Sequence, residues 1–202
     1  MAEQLYITIG RQFGSGGREI GKKVAQALGV PYYDRELHTV AADRSGLSRE
    51  FLRDYDEKHT TSSFLYSLVM GRPNVLTGVH GATVEQLASQ AQREAVLSVA
   101  EEGSCVIVGR CADYILRDKP GLVRVFVSAE DEARVERICH RDGVTEKEAR
   151  EKMKKMDRSR AAYYSFHTDR QWGVAESYDL CINSSLKGTD AAAALILQFC
   201  RS

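Results

Sequence analysis

A glycine-rich turn near the N-terminus has the residue types that bind phosphate. It comprises Gly14, Ser15, Gly16 and Gly17. The turn follows a short apolar run at residues 5–9 and precedes a helical pattern that ends at Gly29. Glycines let backbone N–H groups point toward one ligand, and a helix N-terminus adds partial positive charge, so this context predicts a phosphate cradle. A plain glycine-rich turn between a strand and a helix is the alternative interpretation.

The same turn departs from the usual phosphate loop at two positions. Counted from the strand without a gap, Gly17 stands where a Lys is expected and Glu19 where a Ser or Thr is expected. Three interpretations follow. Arg18 replaces the Lys and clamps phosphate with a planar fork, or Lys22 reaches back from the next turn, or the loop binds an anion without supporting transfer. Glu19 is then the candidate metal ligand, and Arg11 is a further candidate contact for the phosphates.

Charged residues also follow the predicted strands. Arg110 comes directly after the buried run VIVG, and the carboxyl ends of parallel strands form the ligand crevice of such a sheet. We therefore expect Arg110 to bind substrate. Asp34 and Arg35 end the second strand in the same way. Asp113 is a further candidate, although a helix N-cap explains it as well.

Two helical segments add more arginines. Arg137 and Arg141 are four residues apart and share one helix face, and Arg158 and Arg160 lie near the end of the next helix. Phosphoryl transfer requires positive charge around the transferring group, which favours a functional interpretation of the set. For any one of these arginines taken alone, the alternative interpretation is a position on a solvated helix face, where it pairs with a Glu.

The elements that must position these residues alternate along the chain. A strand at 5–9, a helix and a strand at 30–34 form a βαβ unit, which implies a parallel sheet. Further strands are predicted at 104–110, 122–129 and 178–185. The pattern predicts an α/β fold of the P-loop NTPase type, with a three-layer parallel sheet covered by helices on both faces.

Capping residues mark several predicted helices. Thr83 with Gln86 and Thr145 with Glu148 have capping-box spacing, and Thr189 is predicted to cap the last helix. Two polar helices are expected within residues 35–60, the second capped by Ser48. Residues 60–82 are small, apolar and glycine-containing, so they form either a mobile segment over a cleft or an apolar element that packs on the core or on a partner subunit.

The overall composition restricts the function classes. Lys plus Arg and Asp plus Glu number 28 each, and a net charge of zero argues against a bulk nucleic-acid or membrane-surface binder. No apolar run spans a membrane and no signal-peptide pattern begins the sequence, so we expect a cytoplasmic protein. The five cysteines form no CxxC and are expected to be reduced and structural. A zinc site with Cys139 and His140 is the alternative, but a matching ligand pair is missing.

Several segments together resemble the bacterial cytidylate kinase-like family, a branch of the nucleoside monophosphate kinases. ITIGRQFGSGGREIGKKVAQALG resembles the P-loop and first helix, and PYYDREL resembles the step into the monophosphate-binding region. VIVGRCADYIL resembles the segment that meets the monophosphate. VERICHR resembles the helix that enters the lid of adenylate kinases, and MDRSR resembles the segment with arginines at the exit of the lid. YDLCINSS resembles the final strand and the loop near the nucleotide base.

The resemblance implies transfer of the ATP γ-phosphate to a nucleoside monophosphate such as CMP, with Mg²⁺ bridging the ATP phosphates. It implies one domain with a core of residues 1–35, 94–139 and 166–202, a monophosphate-binding insertion at 36–93 and a lid at 140–165. The arginines expected to act in catalysis are Arg18, Arg110, Arg141, Arg158 and Arg160. The expected ATP contacts are Arg11, Gly14, Ser15, Gly16, Gly17, Arg18, Glu19 and Arg137. The expected acceptor contacts are Asp34, Arg35, Arg110 and Asp113.

Two departures separate this chain from the cytidylate kinases it resembles. The P-loop Lys is absent, and the residues after Asp34 are RE where those enzymes have TG. A nucleotide-binding protein of the same fold without turnover, or a kinase for another small acceptor, is therefore the alternative. A homo-oligomer formed through residues 60–82 is a further expectation.

Overall fold

The computed structural model describes residues 4–45 and 84–201. Within these ranges the chain forms a five-stranded sheet in the order β2-β3-β1-β4-β5. Every strand pair in it is parallel. The strands are β1 (Tyr6–Arg11), β2 (Tyr32–Tyr33), β3 (Cys105–Val108), β4 (Leu122–Ser128) and β5 (Leu180–Asn183). Because β1 lies between β3 and β4, the glycine-rich turn that follows it emerges at the middle of the carboxyl edge.

Helices connect the strands. They are α1 (Gly17–Leu28), α2 (Leu37–Ser45), α3 (Val84–Glu101), α4 (Ala112–Ile115), α5 (Asp131–Asp142), α6 (Glu146–Thr168) and α7 (Gly188–Phe199), with a 3₁₀ turn at Ala175–Ser177. The predicted P-loop-type α/β fold with a parallel sheet is confirmed. The second polar helix, its Ser48 cap, the Thr83 cap and the apolar segment 60–82 lie outside the described residues.

The alternation of side chains along the strands gives the sheet two apolar faces. Ile7 and Ile9 of β1 pack in one core cluster with Ile20 of α1 and Ile196 of α7. Tyr6 of β1 belongs to the other cluster, which includes residues of α2, α3 and α4. Burial on both faces explains why the central strands are nearly continuous apolar runs. It also places helices on both sides, as predicted.

A third, smaller cluster joins α5 and α6 to the turn after β1. Val135 and Ile138 of α5 pack with Ala149 and Met153 of α6, and Phe13 from the turn completes the group. The helix pair is thereby fixed to the glycine-rich turn by apolar contact. Residues 140–165, the predicted lid, are the end of α5 and most of α6.

Two predicted helix starts differ from the structure. Lys187, not Thr189, is the residue that precedes α7. Thr189 lies in the first turn, where its hydroxyl donates to Glu19 at 2.6 Å and accepts from Lys23 at 2.9 Å. Cys111, not Asp113, precedes α4, and Asp113 lies inside that helix. The Thr189 hydroxyl is thus bound to side chains of α1. The Asp113 carboxylate accepts from its own N–H and that of Tyr114 as well as from the Tyr164 hydroxyl.

The capping box of α6 forms as predicted. Glu148 N–H donates to the Thr145 hydroxyl oxygen, and the Glu148 carboxylate accepts from Thr145 N–H at 2.8 Å. We expect Thr145→Ala to lower the free energy of unfolding by about 1 kcal/mol, since an N-cap acceptor is lost. Urea denaturation would measure this. Lys147→Ala, an exposed change in the same turn, is the control, and an equal loss in both variants would contradict the cap's contribution.

Among residues 4–45 and 84–201, no helix is both long and apolar enough to cross a bilayer.

Candidate phosphate-binding site

The backbone of the glycine-rich turn is arranged to receive an anion. Gly14 and Gly16 both adopt φ of +81°, a conformation that glycine adopts without the steric cost of a side chain. Within the described part of the chain, the amides of Gly14, Gly16, Gly17 and Arg18 have no hydrogen-bond acceptor. Because these amides begin α1, the partial positive charge of the helix adds to them. The turn therefore offers several N–H donors to one ligand.

Side chains around the turn leave little space for other residues at the glycines. A Cβ on Gly16 would lie 2.8 Å from Thr189 Cγ2, and one on Gly14 would lie 2.9 Å from Ile138 Cδ1. Ser15 is buried, and its carbonyl accepts from the Ser184 hydroxyl at 2.6 Å. The loop after β5 thus helps to hold the cradle.

A buried arginine and an aspartate fix the apex of the turn at Phe13. Arg134 Nε donates to the Phe13 carbonyl at 2.8 Å, and Asp157 accepts from Phe13 N–H at 2.7 Å. The Arg134 guanidinium also contacts the Asp157 carboxylate. Sequence reasoning missed both residues. The only available signal was an Arg three residues before Arg137 on the same predicted helix.

Three charged side chains meet beside the turn. Arg18 Nε lies 2.7 Å from one oxygen of Asp34, and an Arg11 terminal nitrogen lies 3.8 Å from the other. Asp34 is buried, and its side chain is only 11% exposed. The structure therefore brings together three predicted site residues, with two guanidiniums sharing one carboxylate.

Arg160 joins this group from α6. Its guanidinium donates to the Arg11 carbonyl at 2.9 Å and lies over the Phe13 ring, with 5.5 Å from Cζ to the ring centroid. Burial lowers the pKa of Arg160 well below its usual value, and the charge of Arg11 lowers it further. Arg158, two residues earlier, is exposed. The two arginines of MDRSR thus occupy different environments, and Arg160 is the one at the site.

Arg110 leaves the end of β3 in a strained conformation. Gly109, Arg110 and Cys111 have φ of +78°, +61° and +51° in succession. A left-handed conformation costs a non-glycine residue on the order of 1–2 kcal/mol, and such strain is often found at functional sites. The Arg110 guanidinium lies 2.6 Å from His38 Nε2 and 3.4 Å from Gln92 Oε1.

A second arginine pair lies along α5. Arg137 donates to the carbonyl of Gly14, so α5 contacts the turn directly. Arg141 is exposed, pairs with Asp142 at 2.6 Å, and lies 4.9 Å from the Phe13 ring centroid. Arg137 is thus directly at the cradle, whereas Arg141 is near its outer edge.

Glu19, the candidate metal ligand, already has cationic and hydroxyl partners. Its Oε1 lies 2.8 Å from Lys23 Nζ and accepts from the Thr189 hydroxyl at 2.6 Å. These hydrogen bonds lower the pKa of Glu19, that from Lys23 having the largest effect. Lys22 is exposed, and its Nζ lies 5.8 Å from the Tyr32 ring centroid. Among residues 4–45 and 84–201, no group of three His, Cys, Asp or Glu side chains could hold a metal ion.

The remaining acceptor-side candidates differ in burial. Arg35 is exposed next to Asp34. Asp113 is buried, and its carboxylate accepts from the Tyr164 hydroxyl at 2.6 Å. Burial raises the pKa of Asp113, although the Tyr164 hydrogen bond opposes the effect. Asp113 therefore links α4 to α6 behind the arginine group.

Comparisons with known proteins agree with this geometry. An uncharacterized protein from Eubacterium ventriosum is 30% identical, with a TM-score of 0.75 over 98% of this chain and 99% of the other. A cytidylate kinase from Pyrococcus horikoshii is 24% identical over 195 residues, which are 96% of this chain and 87% of that protein. A shikimate kinase from Bacteroides thetaiotaomicron shares the fold, at 14% identity and a TM-score of 0.57 over 99% of this chain and 100% of the other.

The family model matches almost the whole chain. It describes the cytidylate kinase-like family and covers residues 6–186, from the first strand to beyond the last. That range contains the glycine-rich turn and every arginine of the site. A kinase-like family with a phosphate cradle and a P-loop kinase fold is a family of phosphotransferases. The chain belongs to the cytidylate kinase-like family.

Proposed function

We propose that this protein transfers the γ-phosphate of ATP to a nucleoside monophosphate, with CMP as the first candidate acceptor. One observation carries the proposal: Arg11 and Arg18 flank Asp34, Arg160 donates to the Arg11 carbonyl, and the Arg11 guanidinium lies against Gly109, next to Arg110. These guanidiniums lie beside a turn whose amides have no acceptor among the described residues. Asp34 and Asp157 are the acidic groups that act on the pKa values of Arg11 and Arg160. The excess of positive charge favours a ligand with several phosphates.

The donor nucleotide, ATP, would bind where the glycine-rich turn borders the group of arginines. Its β- and γ-phosphates would accept from the amides of Gly14, Gly16, Gly17 and Arg18, which the helix N-terminus makes better donors. Arg137 donates to the Gly14 carbonyl, so its charge would lie beside the phosphates bound there.

The acceptor monophosphate fits the side of Arg110. An oxygen of that phosphate forms a bond to the γ-phosphorus while the bond from phosphorus to the β,γ-bridging oxygen breaks, which yields a nucleoside diphosphate and ADP. Arg110 and Arg18 would hold the two anionic groups close together. Such positioning and charge neutralisation account for most of the catalysis in phosphoryl transfer.

Magnesium has no evident ligand in the described part of the site. The three nearby carboxylates already have cationic partners: Asp34 contacts Arg18, Asp157 contacts Arg134, and Glu19 contacts Lys23. Mg²⁺ commonly keeps several waters and binds substrate phosphates with few protein ligands. We therefore expect Mg²⁺ to arrive with ATP, and no protein ligand for it is assigned.

A second candidate function is nucleotide binding without turnover. The observation that favours it is Gly17 at the position of the P-loop Lys, together with the paired state of Glu19. Transfer to another small acceptor is the remaining alternative within the enzyme class. One assay separates the three.

Purified protein with Mg²⁺ and ATP should convert one or more nucleoside monophosphates to diphosphates, with equal ADP. A panel of the common ribo- and deoxyribonucleoside monophosphates, read by anion-exchange chromatography, identifies the acceptor. The double variant Arg18→Ala/Arg110→Ala, purified in parallel, controls for contaminating kinases. Product formation no greater than in that variant, with ATP still bound, would instead establish a nucleotide-binding protein. ADP formation that depends on a different acceptor would revise the substrate alone.

Binding of a bare polyphosphate should stabilise the fold. Inorganic tripolyphosphate at about a hundredfold excess over its Kd should raise the free energy of unfolding by about 2.7 kcal/mol. The melting temperature should rise by roughly 5–10 °C for a chain of this size. Differential scanning fluorimetry measures the shift. Sodium chloride of equal ionic strength is the control, and an equal shift in both solutions would contradict a built phosphate site.

A further inference from the structure

The side chain of Arg11 explains why position 17 is a glycine. A Cβ on Gly17 would lie 2.6 Å from Arg11 Cβ and 3.0 Å from Arg11 Cγ. Gly17 stands where a phosphate loop normally has its Lys. The stem of Arg11 therefore occupies the space that such a lysine would need.

The other end of Arg11 lies against a second glycine, Gly109, whose φ of +78° already favours glycine. A Cβ on Gly109 would overlap Arg11 Nη1. The guanidinium thus lies at the end of β3, directly beside the residue that precedes Arg110. Arg11 extends from the end of β1 to the acceptor side of the site, with a glycine at each end of its path.

Among the described residues, the Arg11 guanidinium has only a distant carboxylate partner, Asp34. The Arg11 side chain is only 15% exposed, and its terminal nitrogen lies 3.8 Å from the Asp34 carboxylate. That carboxylate pairs more closely with Arg18, at 2.7 Å. Arg11 Nε is buried and has no hydrogen-bond partner within the described residues. A buried guanidinium that is only partly paired is costly, and a bound phosphate would supply the missing acceptors.

Arg11 nevertheless keeps its proton at neutral pH. Burial lowers its pKa to about 10; Asp34 opposes the shift, and the charges of Arg18 and Arg110 add to it. The side chain is therefore a fixed cation at the point where the cradle meets the acceptor side. Arg18, by comparison, is 41% exposed and bound to Asp34, and Lys22 lies over Tyr32.

We propose that Arg11 replaces the missing P-loop lysine and contacts the transferring phosphate, and that Gly17 is a glycine because it makes room for the stem of Arg11. The claim that Arg11 acts in catalysis rests on the proposed phosphoryl transfer. The claim that Arg11 binds phosphate requires only that the site accept a polyphosphate. Asp34 then helps to hold Arg11 in place.

The first test measures binding. The affinity of Arg11→Gln for tripolyphosphate, from isothermal titration calorimetry, should fall by about tenfold or more, as expected for loss of a charged hydrogen-bond donor. Arg11→Lys should retain more affinity than Arg11→Gln. Arg124→Gln is the matched control, since Arg124 is also a strand arginine paired with an aspartate, Asp179, at 2.6 Å but belongs to the β4–β5 side. Unchanged affinity in a folded Arg11→Gln variant would overturn the proposal, whether or not the wild type proves to be a kinase.

The second test exchanges the two positions. Arg11→Gly and Gly17→Lys should each lower kcat by about a hundredfold or more, the first by loss of the cation and the second by steric overlap. In Arg11→Gly/Gly17→Lys the lysine has the vacated space, so turnover should exceed that of either single variant. Circular dichroism verifies folding. A folded double variant no more active than Arg11→Gly would overturn the proposal, whereas an inactive wild type that still shows the binding difference would reject only the proposed function.

Discussion

Arg134→Met should lower the free energy of unfolding by about 3–5 kcal/mol, the largest loss of stability that we expect from one substitution at this site. Arg134 is 3% exposed and holds the Phe13 carbonyl and the Asp157 carboxylate at once. Methionine fills much of the volume but leaves the partly buried Asp157 without its cation. The melting temperature should fall by about 10 °C.

The matched control for this prediction lies on the same helix pair. Arg150 of α6 pairs with Glu132 of α5 at 2.5 Å, but both side chains are exposed, by 37% and 79%. An exposed ion pair contributes less than about 1 kcal/mol, so Arg150→Met should change stability little. Chemical denaturation compares the two variants. Similar losses in both would mean that burial of Arg134 does not determine its contribution.

Arg110→Ala should lower kcat/KM for the acceptor by about 10²–10³, because a guanidinium aimed at the reacting phosphates is removed. Arg110 lies at the acceptor side of the site, beside His38 and Gln92. The donor phosphates are expected to bind chiefly to the amides after Gly14. ATP affinity without acceptor should therefore change far less than acceptor use.

Steady-state kinetics with the best acceptor, together with calorimetric titration of ATP, tests this difference. Arg117→Ala is the control, since Arg117 has its side chain over Tyr114 and donates to the Tyr114 carbonyl. It should behave as the wild type. An equal loss of ATP affinity and acceptor use in Arg110→Ala would contradict its assignment to the acceptor.

Local patterns were sufficient to predict the fold class. The runs YITI, CVIV and LVRVFV read as buried strands because both faces of a parallel sheet are covered. The phosphate turn was also predictable, since glycines between a strand and a helix form a local signal. The order of strands was not, because it depends on which helix covers which face.

The contacts that complete the site were not predictable from the sequence. Phe13 and Asp157 are 144 residues apart, and Arg110 and Gln92 belong to a strand end and a helix with no shared motif. Arg11 was predicted to contact phosphate, but its path past Gly17 and Gly109 appears only when β1, α1 and β3 are assembled. Such roles depend on packing between distant segments, and no local spacing encodes them.

A crystal structure with a bisubstrate analogue, two nucleosides joined by a chain of phosphates, tests the central claim most directly. We expect donor-side phosphates on the amides of Gly14, Gly16, Gly17 and Arg18. The acceptor-side phosphate should bind Arg110, and the phosphate between them should lie within hydrogen-bond distance of Arg11. Phosphates bound away from the glycine-rich turn, or a single nucleotide bound with Arg110 and Arg11 unengaged, would contradict it.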